Sequence, residues 1–318
     1  MTLDEAIRLV LNASDAGTLF GDAAPGRRFR RLAGVLHPDR VPVADRDRAT
    51  EAFVRLIALW RGTTVGEYRL GPRVYAGDLA DLYDVGADRL LKLPRDPANN
   101  DLMAREADAL RTLENAADPR YLPYVPRLVD SFRHHEDGTG ARRLVNVLAA
   151  VPGLHSLAEV RRARPDGLDA RDAAWMWRRI LVALGVAHRA GVVHGAVVPE
   201  HVLIEPAGHG VVLVDWCYSA HEGELVPALV PAYADWYPAE VTARESPGPG
   251  TDIAMASRCM TWLMRVDAPE PLRRFASGCC LPGLRQRPDD AWRLLVELDE
   301  LLESLFGPRT FRPFTLHP

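Results

Sequence analysis

The chain has 318 residues, 47% of them hydrophobic and 26% charged, with a net charge of -4. That length allows two substantial cores, the mild negative balance gives no whole-chain basis for binding nucleic acid, and no stretch approaches the roughly 18 uninterrupted apolar residues of a membrane span. The opening residues MTLDEAIRLV carry neither the basic start nor the apolar run of a secretory signal, so the expected location is cytoplasmic, without membrane contact.

Residues 3–11 (LDEAIRLVL) and 47–61 (DRATEAFVRLIALWR) place apolar residues at helical spacing, the second through Ala49, Phe53, Leu56, Ile57 and Trp60. Between them, residues 27–36 bury Phe29, Leu32 and Leu36 if helical. This segment runs into His37, Pro38 and Asp39, where proline disfavours helix in the residue before it. The pattern predicts a three-helix unit over residues 1–66, its last helix ending near Gly62. Its middle helix carries Arg27, Arg28, Arg30 and Arg31, a basic face suited to an acidic protein partner. A DNA-reading helix-turn-helix would need a second basic helix with polar base-reading residues. Residues 47–60 are mixed in charge, so nucleic acid is not the expected target.

From Tyr68 to Leu93 the apolar residues fall in short runs broken by Gly and Asp, as in an antiparallel sheet. A helix is predicted over 101–113 and strands over 125–132 and 144–148. Beyond Pro152 the pattern becomes helical, with segments at 170–190, 251–266 and 289–305. Sheet first and helices after predict an α+β fold with two lobes, 67–149 and 150–308, and a tail at 309–318. The four cysteines, Cys217, Cys259, Cys279 and Cys280, lack metal-ligand spacing and two are adjacent. They read as reduced thiols, in the core or incidental. Of 39 basic residues 38 are arginine, and the sole lysine is Lys92.

Residues 194–204 (HGAVVPEHVLI) followed by 211–217 (VVLVDWC) resemble the catalytic loop and metal-binding turn of protein kinases. The resemblance extends over roughly 68–305: LLKL (90–93) looks like the third strand of that fold and READAL (105–110) like its first helix. It implies ATP, with magnesium, as ligand. Lys92 would hold the α- and β-phosphates, Glu106 would pair with Lys92, and Asp215 would contact the metal. A compact ammonium suits such a site better than a planar guanidinium. In YAGDLADLY (75–83) Gly77 is what remains of the glycine-rich loop. In NVLAAVPGLH (146–155) Leu148 would back the adenine pocket, and the backbones of Ala149 and Val151 would face the base. Plainer readings stand beside these: a solvated lysine, a surface glutamate exchangeable with Asp108 or Glu114, a turn-forming aspartate, and a strand leaving a sheet.

The same resemblance exposes departures. The family's H-R-D-x-x-x-x-N becomes His194, Gly195, Ala196 and, at its end, His201. The base position thus holds a methyl, the second-metal position an imidazole, and Val198 replaces a lysine that commonly follows the base. No catalytic residue is expected, which implies a pseudokinase. The alternative is an atypical serine/threonine-like kinase that recruits Glu200 or His201 as base. YPAE (237–240) resembles the triplet that closes the activation segment, with Glu240 expected to pair with Arg287, and Asp252 expected to cap a helix.

Residues 29–39 (FRRLAGVLHPD), the loop 40–46 and the helix 47–60 resemble a J-domain, the co-chaperone module that stimulates the ATPase of seventy-kilodalton heat-shock chaperones. Leu19, Phe20 and Gly21 stand where that family ends a helix with Leu-Gly. The resemblance implies chaperone docking through His37, Pro38, Asp39 and the four arginines, with a protein client held by the rest of the chain. A helical extension whose His37 merely caps a turn is the other reading.

Overall fold

A computed structural model describes residues 1–21, 25–61, 64–135 and 140–316. These form two compact units, one from residues 1–99 and 130–147, the other from 100–129 and 148 onward.

The first unit opens with four helices rather than three: α1 (Leu3–Leu11), α2 (Ala16–Phe20), α3 (Pro25–Leu36) and α4 (Arg46–Arg61). Thr2 and Glu5 close a reciprocal capping box at the start of α1, satisfying backbone N–H groups that a helix start leaves unpaired. The added helix α2 is a single turn and a half whose Asp15 side chain accepts the Thr18 N–H. It is too short to show a 3.6-residue period, but it places Leu19 and Phe20 in a core with Ile7, Val10, Leu32, Leu36, Ala52 and Leu56. Phe29 stacks on Trp60 at 4.1 Å and Phe20 meets Trp60 edge-on at 5.2 Å. The expected end of the last helix at Gly62 lies outside the described residues.

A hairpin of two-residue strands, β1 (Thr64–Val65) and β2 (Tyr68–Arg69), follows, so pairing begins ahead of Tyr68, where the strand pattern was expected to start. Val65 and Tyr68 are buried, which is why it pairs. The main sheet has β3 (Arg73–Ala76), β4 (Ala80–Asp84), β5 (Arg89–Pro94), β6 (Leu128–His135) and β7 (Arg142–Ala149), in the order β3-β4-β5-β7-β6. The β3–β4–β5 meander is antiparallel.

In the second unit α5 (Asn100–Ala116) precedes a set of short strands and helices: β8 (His155–Ser156), α6 (Leu157–Ala163), α7 (Ala170–Arg189), β9 (Val192–Val193), β10 (Val202–Glu205), β11 (Gly210–Leu213) and β12 (Ala220–His221). The chain continues through α8 (Ala239–Thr242), α9 (Pro249–Leu263), α10 (Glu270–Cys279) and α11 (Ala291–Phe306). Helix α7 is buried along most of its length and packs against α9 and α11. The segment read as a tail folds back on this unit: Phe314 is buried, Arg312 pairs with Asp172 at 3.1 Å, and His209 Nε2 donates to the Arg312 carbonyl at 2.8 Å. Among the described residues no helix is long and apolar enough to cross a membrane.

Gly185 lies where α7 meets Trp292 of α11, and a Cβ there would fall 2.5 Å from Trp292 Nε1. Gly185→Ala should therefore destabilise the helical unit by about 1–3 kcal/mol through overpacking, read as a fall in its urea midpoint. Adding Trp292→Leu should recover part of the loss. An unchanged midpoint in the single variant would show that the contact is slack.

Candidate functional site

The helical unit assembles its chemistry around the β10–β11 hairpin. Val202 pairs with Leu213, and one step beyond, the Val214 N–H donates to the His201 carbonyl at 2.9 Å. This register brings the end of the 194–201 loop beside Asp215. His201 Nε2 lies 3.3 Å from Asp215 Oδ2. Asp215 itself adopts left-handed backbone angles (φ 67°, ψ 54°), an uncommon state for a residue with a Cβ that needs support from its surroundings. That support comes from Trp216, which is fully buried and whose Nε1 donates to the Leu213 carbonyl at 2.9 Å.

The 194–201 loop is held from below by one carboxylate. Asp252 Oδ2 accepts the His194 N–H at 2.8 Å and Oδ1 the Gly195 N–H at 2.9 Å, while His188 Nε2 lies 2.8 Å from Oδ2. Asp252 therefore does not cap its helix as expected. It sits within the first turn of α9, fully buried, and uses its acceptors on a loop 57 and 58 residues away. Gly195 has φ 75°, and a Cβ there would fall 2.5 Å from the Tyr218 carbonyl, so only glycine fits this turn. His194 Nε2 donates to the Val214 carbonyl at 3.0 Å and its Nδ1 accepts the Ala196 N–H at 3.3 Å. Complete burial pushes its pKa down to about 4.

At the position where the resemblance expects a base, the Ala196 methyl is fully buried and the Ala196 carbonyl accepts from His201 Nδ1 at 2.9 Å. Glu200, the other residue read as a stand-in base, has a buried Oε2 with no hydrogen-bond partner among the described residues.

Helix α5 packs on residues 216–218 and carries Glu106, which is fully buried. Arg105 beside it donates to the Ser219 carbonyl at 3.1 Å and to Glu224 at 2.5 Å, tying the segment after Asp215 to the helix. One carboxylate oxygen each from Glu106 and Asp215, and the Cys217 thiol, all lie within 4.8 Å of one another. Asp215, still partly open to solvent, suits a single magnesium ion held through one carboxylate. An imidazole at position 201 does not suit a second one, because magnesium prefers oxygen. Cys217, which the sequence reading left as incidental, belongs to the cluster. Its signal was its place two residues after Asp215, the aspartate expected to contact a metal.

Other predicted residues lie as follows. Lys92 is in β5 of the first unit, opposite Leu82 of β4, and is 5% exposed; so buried a lysine is uncommon. Gly77 closes the β3–β4 turn, its N–H donating to the Ala80 carbonyl at 3.0 Å, and a Cβ would fall 2.7 Å from that oxygen. The hairpin alone thus accounts for the glycine. The Ala149 N–H donates to the Arg127 carbonyl at 2.9 Å, which leaves only its carbonyl for a ligand, while Val151 is exposed. Arg287 grips Glu240 through two nitrogens, at 2.7 and 3.0 Å, and both side chains are buried. Burial pushes the Glu240 carboxyl up, but the Arg287 contacts and the Thr251 hydroxyl outweigh it and hold the carboxyl below its ordinary value. In the N-terminal helices His37 Nδ1 accepts the Asp39 N–H at 3.3 Å and its ring meets Phe53. Arg27, Arg28, Arg30 and Arg31 are exposed along α3.

No protein-family model matches the chain. Solved structures do. A single-substitution variant of the Mycobacterium tuberculosis PknI kinase domain matches with a TM-score of 0.57 at 15% identity, covering 75% of this chain and 97% of that one. A double-substitution variant gives 0.55 at 17%, and the unsubstituted PknI kinase domain 0.52 at 16%, with the same coverage. The chain has a protein-kinase-like α+β fold.

The buried imidazole of His194 makes acid stability a readout of the loop. Its folded pKa of about 4 lies below the ordinary 6.5, so between these values the unfolded chain binds a proton that the folded chain refuses. Stability must fall on acidification through that window, by about 3 kcal/mol. Urea titrations across it should show this loss, and His194→Gln should flatten the slope by the same amount. An equal slope in both would show that the imidazole is not held neutral.

Proposed function

We propose that the larger part of the chain is a pseudokinase that binds ATP, with magnesium, without efficient phosphoryl transfer. It acts as a scaffold coupled to a J-domain-like unit that recruits a seventy-kilodalton heat-shock chaperone ATPase to a protein client. The observation that carries this reading is Ala196. The loop around it is fully built, clamped by Asp252 and His194, yet its base position is a buried methyl. Without a group to accept the acceptor alcohol's proton, transfer loses a contribution of about 10²–10⁴-fold in rate, and His201 in place of an oxygen ligand weakens metal support further.

Nucleotide binding asks less of the chain than transfer does. Lys92 would contact phosphate oxygens, Asp215 the magnesium, and the Ala149 carbonyl and Val151 backbone the adenine. Magnesium, when bound, neutralises phosphate charge. Glu240 and Arg287 keep the helical unit intact whether or not chemistry occurs.

For the N-terminal helices the supporting observations are local. The His37-Pro38-Asp39 turn follows α3 directly and leaves Asp39 exposed. Four exposed arginines line the same helix, a face whose charge matches an acidic docking surface.

Thermal-shift titration tests the first half. ATP at a hundredfold excess over its dissociation constant should stabilise the wild type by about 2.7 kcal/mol, Lys92→Ala should lose that shift, and γ-phosphate label should not reach protein. Label transfer abolished by Lys92→Ala would instead establish an atypical kinase, and no shift with ATP and magnesium a nucleotide-free scaffold. For the second half, the full chain should stimulate a heat-shock chaperone ATPase and His37→Gln should abolish the stimulation. Equal rates with both proteins would remove the co-chaperone assignment.

A further inference from the structure

Away from the turn around Asp215, the helical unit encloses a cavity. Helix α7 presents Arg171, Ala174, Trp175 and Arg178 to it, at the i, i+3, i+4 and i+7 spacing of one helical face. The last turns of α11 contribute Leu302 and Phe306. Gly307, at φ 78°, then takes the chain out of the helix, and Pro308 cannot continue it. The segment turns back across the two helices, tied down where Arg312 pairs with Asp172 near the start of α7. The space so enclosed holds about 670 Å³ and is partly open to solvent, within the range of small-molecule sites.

The lining combines flat apolar surfaces with a surplus of hydrogen-bond donors. Trp175 stacks on His209 at 4.1 Å, and His209 meets Phe311 at 4.5 Å. Phe306 and Phe311 remain 38% and 63% exposed, apolar faces that gain from being covered. Four arginines line the same space. Three are held by carboxylates, Arg171 by Asp169, Arg178 by Asp299 and Arg312 by Asp172. Such pairs fix where a guanidinium lies and leave some of its five N–H donors unused. The fourth, Arg309, is exposed and has no ion-pair or hydrogen-bond partner among the described residues. Of the two carboxylates in the lining, Asp299 is engaged by Arg178 and Glu303 is exposed. Burial pushes the Arg178 pKa down, Asp299 opposes this, and the charges of Arg309 and Arg179 add to it. An anion in the cavity relieves that crowding of like charges.

We propose that this cavity binds a small aromatic anion, a flat ring system carrying a carboxylate, sulfonate or phosphate. The ring lies against Leu302, Phe306 and Phe311, and the anionic group takes Arg309 and the spare donors of Arg178. A ring is favoured over an alkyl chain because the walls are themselves planar, with the Arg171 guanidinium 5.8 Å from the centre of the Phe306 ring, and planar groups reward face and edge contact. The site includes neither Lys92 nor Asp215 nor any residue of the 194–201 loop, so it stands without the nucleotide reading.

Anilinonaphthalene sulfonate, an aromatic anion whose fluorescence rises when it is shielded from water, is the probe, titrated into the full chain without nucleotide. It should bind saturably at one site, with an affinity that falls as salt rises. Arg309→Gln should weaken it about tenfold, Leu302→Trp, which fills the cavity, at least as much, and Lys92→Ala should leave it unchanged. N-phenylnaphthylamine, the same ring system without the sulfonate, should bind at least about tenfold more weakly, and decanoate should not displace the dye. Absence of saturable binding, or binding unaltered in both Arg309→Gln and Leu302→Trp, overturns the proposal. So does equal affinity for the charged and uncharged dyes, a comparison on the wild type that needs no variant to fold. Binding lost in Lys92→Ala but kept in Arg309→Gln would put the dye in the nucleotide site, and displacement by decanoate would make the cavity a site for alkyl chains; either result also overturns it.

Discussion

Everything at the site depends on the buried carboxylate of Asp252. It accepts two backbone N–H groups of the loop, from His194 and Gly195, and neighbours His188 Nε2. Its charge is further favoured by the start of α9, whose aligned peptides present positive potential to an anion in the first turn. The clamp reads backbone and not side chain at position 195, and nothing in it depends on the residue at 196. The loop therefore holds its shape with a buried methyl at position 196.

The clamp is itself anchored. Thr251, next to Asp252, donates its hydroxyl to Glu240 at 2.8 Å, and Arg287 grips the same carboxylate while donating to the Leu281 and Pro282 carbonyls. A buried ion pair is neutral or costly unless its remaining donors and acceptors are satisfied, and here those of Arg287 are. Removing one partner would leave a charge stranded in the core. The pair thus behaves as a fixture of the helical unit, joined through adjacent residues to the loop it supports.

How much of this was legible in the sequence follows from the range of the interactions. The long helices α4, α7 and α11 show their apolar stripes within one window, so periodicity finds them. Helix α2, with five residues, and the hairpin of Thr64–Val65 with Tyr68–Arg69 are shorter than any period. Their stability comes from Leu19, Phe20, Val65 and Tyr68 reaching a core assembled elsewhere. Asp252 was misread for the same reason: a lone Asp at a helix start looks like a cap, and its true partners lie far back in the chain. Cys217 was passed over because ligand-spacing rules look for paired Cys and His along the sequence. Its neighbours Glu106 and Asp215 arrive by the packing of α5 on the turn.

The positions where the resemblance to protein kinases expects a base and a second metal ligand hold Ala196 and His201, and the two residues are joined by a hydrogen bond. An oxygen ligand at position 201 would support a second hard cation beside Asp215, whereas His201 offers nitrogen and spends its other nitrogen on the carbonyl of Ala196. A carboxylate at 196 would compete for whatever cation stood near, and a methyl does not.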